Sequence, residues 1–290
     1  MRATLQLNEL TDHIFIQDCF ATMQQLPRAS VDLIIADGPY AVTKHGWDKI
    51  GSVQQFNLKL IREAARVLKE GGVLYLFGKA DCLDFIDYRE YLRLNSRIIW
   101  YQPSRLAQGR ISYTNNYDII AYFSKGKCTT FNLDDIRVPQ LVELQHRLRC
   151  ENVPSVKKGR FSKTKFNDRG KNPGDVWGDI KQLTYRSKEL LNREMLNTIQ
   201  KPEKLMRRLI LASSNPGDII FDPFFGTGTV AAVARELGRQ CFGCELNSEY
   251  ARLAAERLQQ LGYSFEICDS ISQRQRSDQT DTIQYYSNAN

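Results

Sequence analysis

The sequence has no long apolar run and no apolar core among its N-terminal residues, and each absence argues against a class of protein. No run of eighteen consecutive apolar residues occurs, which is about the minimum for a helix that crosses a membrane. The N-terminal residues, MRATLQLNELTDHIF, have no apolar core of the kind that a signal peptide needs. We therefore expect a soluble, cytoplasmic protein with no membrane partner. A chain of 290 residues can bury the core of one large α/β domain with an insertion, or of two small domains.

Cysteine and histidine form neither a disulfide framework nor a metal motif. The seven cysteines are an odd number at irregular spacing, and the three histidines are His13, His45 and His146, far apart in the chain. Cys241 and Cys244 have the spacing of half a zinc site, but no second pair or nearby histidine accompanies them. We expect them to be buried free thiols of a strand, and we expect no metal and no Cys-His nucleophile.

Apolar runs alternate with one helical pattern along the first part of the chain. The predicted strands are 14–18, 31–36, 73–77, 97–101 and 117–123. A helix is predicted over 53–70, ending at Gly71 and Gly72. Because strands that are apolar throughout are typical of a sheet covered on both faces, we predict an α/β fold with a doubly wound parallel sheet.

Positive charge is concentrated in one polar, irregular segment. The net charge of the chain is +7, and residues 155–171, SVKKGRFSKTKFNDRGK, carry seven Lys or Arg and one Asp, a net of +6. Most charge runs are solvated loops. Because this one holds almost all of the excess charge and includes Phe161 and Phe166, a binding surface for a polyanion is favoured.

A glycine-containing loop follows a short apolar strand late in the chain. Residues 219–229 are IIFDPFFGTGT, and a helix is predicted over 229–237. Glycines let a ligand approach the backbone, and a helix N-terminus supplies amide groups. Glu245, which is 23 residues after Asp222 (245 minus 222), has the spacing of an acid that binds ribose hydroxyls. These features predict a site for a nucleoside-like cofactor, against the plainer interpretation of a loop that leads into a helix.

The tetrad Asp37-Gly38-Pro39-Tyr40 directly follows the apolar run VDLIIA. Ligands of doubly wound sheets bind at the carboxyl ends of the strands, so the tetrad should lie at the same edge as Gly226. A carboxylate and a backbone carbonyl can accept both hydrogens of an exocyclic amine and aim its lone pair at an electrophile. A neighbouring aromatic ring can stack on the base that carries the amine. A simple turn is the alternative interpretation.

The two motifs, in this order, resemble those of DNA amino-methyltransferases of the permuted β group, which act on adenine N6 or cytosine N4. In that family Asp-Pro-Pro-Tyr or Ser-Pro-Pro-Tyr comes first, and Gln-Lys-Pro followed by Asp-Pro-Phe-x-Gly-x-Gly-Thr comes last. Here the tetrad comes first, and Gln200-Lys201-Pro202 and then residues 222–229, DPFFGTGT, come last. The resemblance spans about residues 14–262.

The resemblance implies a permuted, Rossmann-like methyltransferase sheet that uses S-adenosyl-L-methionine. It places the catalytic half at 1–130, a target-recognition insertion at 131–197, the cofactor half at 198–268 and a disordered tail at 269–290. Double-stranded DNA would be the substrate. A cognate restriction endonuclease and a homodimer are the other partners that this family suggests.

The resemblance also implies roles for the matching residues. Catalysis would depend on Asp37, Gly38, Pro39 and Tyr40. The cofactor would be bound by Asp18, Cys19, Asp37, Lys201, Asp222, Phe224, Gly226, Thr227, Gly228, Thr229, Glu245 and Leu246. Among these, Glu245 would bind the ribose, Asp18 and Cys19 the adenine, and Lys201 the methionine carboxylate. DNA would be bound by Lys44, His45, Lys157, Lys158, Arg160, Lys163 and Lys165.

The sequence departs from the family pattern in two places. Gly38 replaces the usual first proline of the tetrad, which predicts a less rigid loop with lower activity or another geometry. Asn197-Thr198-Ile199 replaces the common His-Pro-Thr, so the contacts of those positions are not transferred.

We predict methylation of an exocyclic amine on a flipped base, with adenine N6 favoured because Asp, not Ser, stands at position 37. A cytosine-N4 enzyme and a DNA-binding relative with weakened catalysis are alternatives. A protein or RNA amine methyltransferase is a further alternative, and the large basic insertion ahead of Lys201 argues against a small protein loop as its substrate. An oxidoreductase is disfavoured because the loop lacks G-x-G-x-x-G.

Overall fold

In the part of the chain that the structure describes, a nine-stranded sheet and five α-helices account for most of the regular structure. The computed structural model describes residues 7–40, 50–103, 113–140, 167–184, 186–191 and 200–271. The helices are α1 (Cys19–Gln25), α2 (Val53–Val67), α3 (Glu203–Ser213), α4 (Thr229–Glu236) and α5 (Ser248–Gln260). The strands are β1 (His13–Phe15), β2 (Val31–Ala36), β3 (Leu68–Gly78), β4 (Arg93–Tyr101), β5 (Tyr117–Ser124), β6 (Val176–Trp177), β7 (Ile219–Asp222), β8 (Gln240–Cys244) and β9 (Glu266–Cys268). In this part of the chain no helix is long and apolar enough to cross a membrane.

The strand order is β6-β4-β5-β3-β2-β7-β8-β1-β9. All neighbouring pairs are parallel except the two that involve β5, which runs antiparallel to both β3 and β4. The prediction of a parallel sheet was therefore wrong for β5, and the sheet is mixed. An apolar run does not encode the direction of its strand, and β4 pairs with the strand that follows it in the chain, as antiparallel neighbours can.

Helices cover both faces of the sheet, which confirms the doubly wound arrangement. On one face, the sheet packs against α1 and α2 through side chains such as Phe20, Met23 and Leu60. On the other face, α3, α4 and α5 contribute a second core that includes Leu209 and Leu258. Alternate residues of each central strand point to opposite faces, so the buried strands carry apolar side chains on both faces.

Several boundaries differ from the predictions for identifiable reasons. The second helix ends at Val67, not Glu70, because Leu68 pairs with Val31 and the residues that follow it belong to the sheet. The first strand ends at Phe15, and Asp18 instead caps α1, a helix that was not predicted. Strands β6 and β9 were also not predicted, since two or three residues carry no measurable periodicity.

The described parts of the predicted insertion pack against the sheet. Strand β6 pairs with β4, and the indole nitrogen of Trp100 donates a hydrogen bond of 2.7 Å to the Ile180 carbonyl. The side-chain amide of Asn132 donates to the carbonyls of Leu211 and Ser214. Parts of this segment on either side of residues 141–166 thus contact the rest of the fold, while residues 141–166, 185 and 192–197 lie outside the described structure.

The prediction for the paired cysteines is confirmed. Cys241 and Cys244 lie in β8, and both are free and buried. Burial raises the pKa of each thiol well above its usual range, so neither is a reactive thiolate.

Candidate active site between strands β2 and β7

Strands β2 and β7 are parallel neighbours, with Leu33 opposite Ile220 and Ile34 opposite Phe221. The tetrad follows β2, and the glycine-containing loop follows β7, so both emerge at the same edge of the sheet. A cavity of about 370 Å³ lies there, within the range of roughly 300–1,000 Å³ that is usual for small-molecule sites. The structure therefore brings together two motifs that are far apart in the chain.

The glycine-containing loop leaves space for a ligand at one glycine and uses the other for packing. Gly226 has a φ of +50°, and a Cβ built there would approach only the Phe224 carbonyl, at 3.8 Å. Gly228, with a φ of +73°, caps α4, and a Cβ there would lie 3.2 Å from Cβ of Ala254. Of the residues predicted to bind the cofactor, Gly228 is the one that does not line the cavity. It holds the loop against α5.

Glu245 joins the end of β8 to this loop. Its Oε2 accepts a hydrogen bond from the Gly226 N–H at 2.8 Å, and its Oε1 accepts one from the Asn247 N–H at 3.0 Å. Burial raises the pKa of Glu245, and the backbone N–H groups of Asn247 and Gly226 oppose that shift. Each carboxylate oxygen keeps acceptor capacity for a hydroxyl, so the group fits a ribose diol.

Asp222, at the end of β7, has a carboxyl group that is a weaker acid than usual. It is buried, and burial raises its pKa to about 8. The Phe224 N–H, which donates to Oδ1 at 3.0 Å, lowers that pKa, whereas Asp37 and Glu245 raise it. The group is therefore mostly protonated at neutral pH, and the wall of the cavity carries less negative charge than its four acidic residues suggest.

Asp18 and Cys19 lie side by side in the cavity wall. The Asp18 side chain accepts hydrogen bonds from the N–H groups of Phe20 and Ala21, and so fixes the start of α1. Burial raises the pKa of the Cys19 thiol to about 12, so it is a neutral, apolar surface. This pair suits a flat heterocycle that needs both a polar and an apolar neighbour.

Asp37 is held by two donors. The Tyr40 hydroxyl donates to Oδ1 at 2.7 Å, and the Lys201 ammonium donates to Oδ2 at 2.5 Å. Burial, followed by the charge of Asp37, raises the pKa of the Tyr40 phenol well above its usual range, so it remains a donor. The side chain of Lys201 is 4% exposed, and that of Asp37 is 24% exposed. The carboxylate is thus fixed in orientation but open on one side.

Gly38 contacts the glycine-containing loop at a point where a larger residue does not fit. A Cβ built on Gly38 would lie 2.9 Å from both Cε2 and Cζ of Phe224, closer than real Cβ atoms come. The Phe224 ring also packs near that of Phe56, with 6.1 Å between centroids. The Phe224 ring therefore occupies the space that the side chain of the usual proline would need. The sequence alone did not indicate this contact.

Other predicted site residues cannot be placed. Lys44 and His45 fall within 41–49, and Lys157, Lys158, Arg160, Lys163 and Lys165 fall within 141–166, both outside the described residues. The tail beyond Ile271 lies outside them as well.

Several cavity-lining residues were not predicted. Gln17, Gln200 and Pro223 adjoin the motifs and could have been found from that position. Phe56, Met206 and Tyr250 also line the cavity, but their sequence signal is the helical spacing that every core residue shares.

Comparisons with known proteins agree with this geometry. Residues 31–256 match the family N6_N4_Mtase, described as DNA methylase. The DNA adenine methyltransferase YhdJ of Escherichia coli (strain K12) is 36% identical over 269 residues, which are 89% of this chain and 86% of that protein. The Type II methyltransferase M.HpaI of Haemophilus parainfluenzae is 33% identical over 286 residues, 94% of this chain and 82% of that protein.

Two solved structures share the fold. TTHA0409 of Thermus thermophilus, in complex with S-adenosyl-L-methionine, has a TM-score of 0.59 at 24% identity and covers 89% of this chain and 98% of its own. The cytosine-N4-specific PvuII DNA methyltransferase has a TM-score of 0.59 at 15% identity, covering 90% and 98%.

The sheet, the cavity and these likenesses define an S-adenosyl-L-methionine-dependent DNA methyltransferase. The chain belongs to the N6/N4 DNA methylase family. S-adenosyl-L-methionine is its cofactor and DNA its substrate.

Proposed function

We propose that the protein methylates the N6 amine of adenine in double-stranded DNA. The observation that carries the proposal is the Asp37 carboxylate at the wall of the cavity formed with the glycine-containing loop. Asp at this position resembles the adenine-specific members of the family. The 36% identity to a protein named as a DNA adenine methyltransferase also supports it.

The cofactor-binding role falls to residues of both motifs. Glu245 binds the ribose hydroxyls, Asp18 and Cys19 contact the adenine ring, and Gly226 leaves room for the methionine end. Lys201 has three N–H donors, so it can keep Asp37 and also donate to the methionine carboxylate. When bound, the cofactor supplies a methyl group on a positively charged sulfur.

The tetrad holds the target amine for attack. One oxygen of Asp37 accepts one N–H of the amine, and the Gly38 carbonyl accepts the other, so the nitrogen lone pair leaves ring conjugation. The methyl group that the bound cofactor supplies would be transferred to this nitrogen, which would then lose one proton. Asp37, which accepts a hydrogen bond from the amine, would take up that proton. The Tyr40 ring stacks on the base and fixes its plane.

The identity of the methylated base tests the proposal. The purified protein is incubated with labelled S-adenosyl-L-methionine and unmethylated plasmid DNA, and the DNA is digested to nucleosides. We expect N6-methyldeoxyadenosine. N4-methyldeoxycytidine would contradict the adenine assignment, and DNA binding without turnover would support the relative with weakened catalysis.

A cytosine-N4 activity is the second candidate, because the fold is shared with a cytosine-N4-specific enzyme. The names of the Type II relatives support a cognate restriction endonuclease. The basic segment 155–171 supports a DNA-backbone contact through its net charge of +6. The homodimer remains a prediction from the family resemblance.

A further inference from the structure

Three polar side chains beside the tetrad, Lys79, Gln102 and Asp118, have no role in the proposed methyl transfer. Lys79 follows β3, Gln102 follows β4, and Asp118 lies at the start of β5, which runs the other way. The three side chains therefore meet at the edge of the sheet where the tetrad lies. The Lys79 ammonium donates to Asp118 Oδ1 at 2.7 Å, and the Gln102 amide donates to Asp118 Oδ2 at 2.9 Å.

Asp118 and Gln102 anchor Lys79 in one orientation. Both are buried, at 2% exposure each, and each oxygen of the carboxylate accepts a hydrogen bond. A buried carboxylate is tolerated when it is paired in this way. The Lys79 side chain, in contrast, is 27% exposed. An ammonium has three N–H donors and Asp118 takes one, so Lys79 presents a fixed donor towards the outside.

That donor faces a second cavity, on the side of Tyr40. The cavity measures about 430 Å³, and it is lined by Tyr40, Gly51, Ser52, Val53, Gln54, Lys79 and Asp81. Tyr40 also lines the cofactor cavity, so the two spaces meet at this residue. The Lys79 nitrogen lies 5.3 Å from the centroid of the Tyr40 ring. Because the ammonium lies over the face of the ring, a base that stacks there beside it would bring one edge next to Lys79.

We propose that Lys79 binds the target base by donating a hydrogen bond to an acceptor on its edge. The inference rests on the proposed function, since it requires a base turned out of the duplex towards Asp37. Lys79 and Asp118 together are neutral, which suits a neutral ring nitrogen better than a phosphate. Adenine offers such an acceptor beside its amine, because N7 accepts where N6 donates.

The test compares Lys79→Met with a matched variant at the other end of the same strand. Lys69, near the start of β3, pairs with Asp32 at 2.8 Å, so Lys69→Met removes a similar ion pair far from the site. Since Lys79→Met leaves Asp118 buried without its cation, the double variant Lys79→Met/Asp118→Asn is made as well. Thermal unfolding and S-adenosyl-L-methionine affinity are measured for all of them.

The DNA duplexes for this test are designed from the site that the wild-type protein methylates. Its modified site is first mapped on unmethylated plasmid DNA, and a duplex with that site is synthesised. A second duplex carries an abasic site in place of the target base. We expect kcat/KM on the intact duplex to fall about tenfold or more in both Lys79 variants, with cofactor affinity and Lys69→Met activity within about twofold of wild type. On the abasic duplex the variants and the wild type should bind equally, within about twofold.

Three results would overturn the inference. The first is an unchanged kcat/KM in both Lys79 variants. The second is a loss of affinity for the abasic duplex as large as that for the intact duplex, which would place the contact on the DNA backbone. The third is a loss of activity accompanied by a loss of cofactor binding and of thermal stability. A wild-type protein that methylates no base would instead refute the proposed function. The test works equally for adenine and cytosine, because it uses the mapped base.

Discussion

The Lys201 ammonium lies 2.5 Å from Asp37 Oδ2, although the two residues are 164 positions apart in the chain. Lys201 directly precedes Pro202, the residue that caps α3, and Asp37 directly follows β2. The ion pair therefore joins the loop after β2 to the residues before α3, at the point where the proposed mechanism brings methyl donor and acceptor together.

Replacing Lys201 with Met should reduce both stability and activity. The free energy of unfolding should fall by about 3 kcal/mol, the low end for breaking a buried ion pair, because Asp37 keeps 24% of its side-chain surface exposed. Cofactor affinity should fall too. Urea denaturation and equilibrium binding measure these effects, with Lys69→Met as the control. Lys69 is 44% exposed, so its loss should cost less than about 1 kcal/mol. An equal loss of unfolding free energy in Lys201→Met and Lys69→Met would show that the Lys201–Asp37 pair stabilises the fold no more than an exposed ion pair does.

Substituting Gly38 should disturb cofactor binding through Phe224. Gly38→Pro restores the usual family residue but adds a Cβ that lies 2.9 Å from the Phe224 ring. Overpacking of this kind costs about 1–3 kcal/mol, so we expect cofactor affinity to fall about fivefold or more. Phe224→Leu in the Gly38→Pro background should recover part of the loss.

Gly178→Ala is the control for this prediction, because a Cβ at Gly178 makes an ordinary contact of 3.5 Å with Tyr101. It should leave cofactor affinity unchanged. If Gly38→Pro binds the cofactor as well as the wild type does, the packing between Gly38 and Phe224 does not restrict the tetrad.

Asp222→Asn should change the dependence of stability on pH. The folded-state pKa of Asp222, about 8, lies above the ordinary value of 3.8, so the unfolded chain loses this proton first as the pH rises. The wild type therefore loses stability between these values, by up to about 1.4 kcal/mol per pH unit. The Asn variant lacks that loss, and its advantage over the wild type should grow from pH 5 to pH 7. Denaturant unfolding at each pH measures it. Asp87→Asn, at an exposed site, is the control. If the free energy of unfolding changes with pH in the same way in the wild type and in Asp222→Asn, Asp222 is ionised in the folded protein.

Neutralising the basic segment should weaken DNA binding and reduce its salt dependence. The variant replaces Lys157, Lys158, Arg160 and Lys163 with Gln. Each phosphate contact that is lost should lower the slope of log affinity against log salt by about 0.9. A control variant neutralises four cations elsewhere, namely Lys59, Arg62, Lys69 and Arg89. If the slope is the same as in the wild type, the segment faces solvent and does not bind DNA.

Local sequence patterns were sufficient to predict the motifs and most of the strands. The start of α4 at Thr229 was also predicted. The site could be located because strands β2 and β7 both end in a recognisable motif and both deliver it to the carboxyl edge of the sheet.

Long-range pairing was not predictable from the sequence. Nothing in the runs around Lys79, Gln102 and Asp118 shows that β5 is inserted antiparallel between β3 and β4, and only that insertion brings the three side chains together. For the same reason Lys201 was assigned to the cofactor and not to Asp37. Gly38 was interpreted as a loss of rigidity because its neighbour Phe224 lies 186 positions later (224 minus 38).

The central claim is that Asp37 acts on the target amine while the loop after β7 binds the cofactor. The most direct test measures cofactor affinity and single-turnover methyl transfer to unmethylated DNA for Asp37→Ala. We predict that S-adenosyl-L-methionine still binds, with methyl transfer reduced at least about a hundredfold, because the variant loses one of the two acceptors that orient the amine. Transfer at a rate close to that of the wild type would contradict the account.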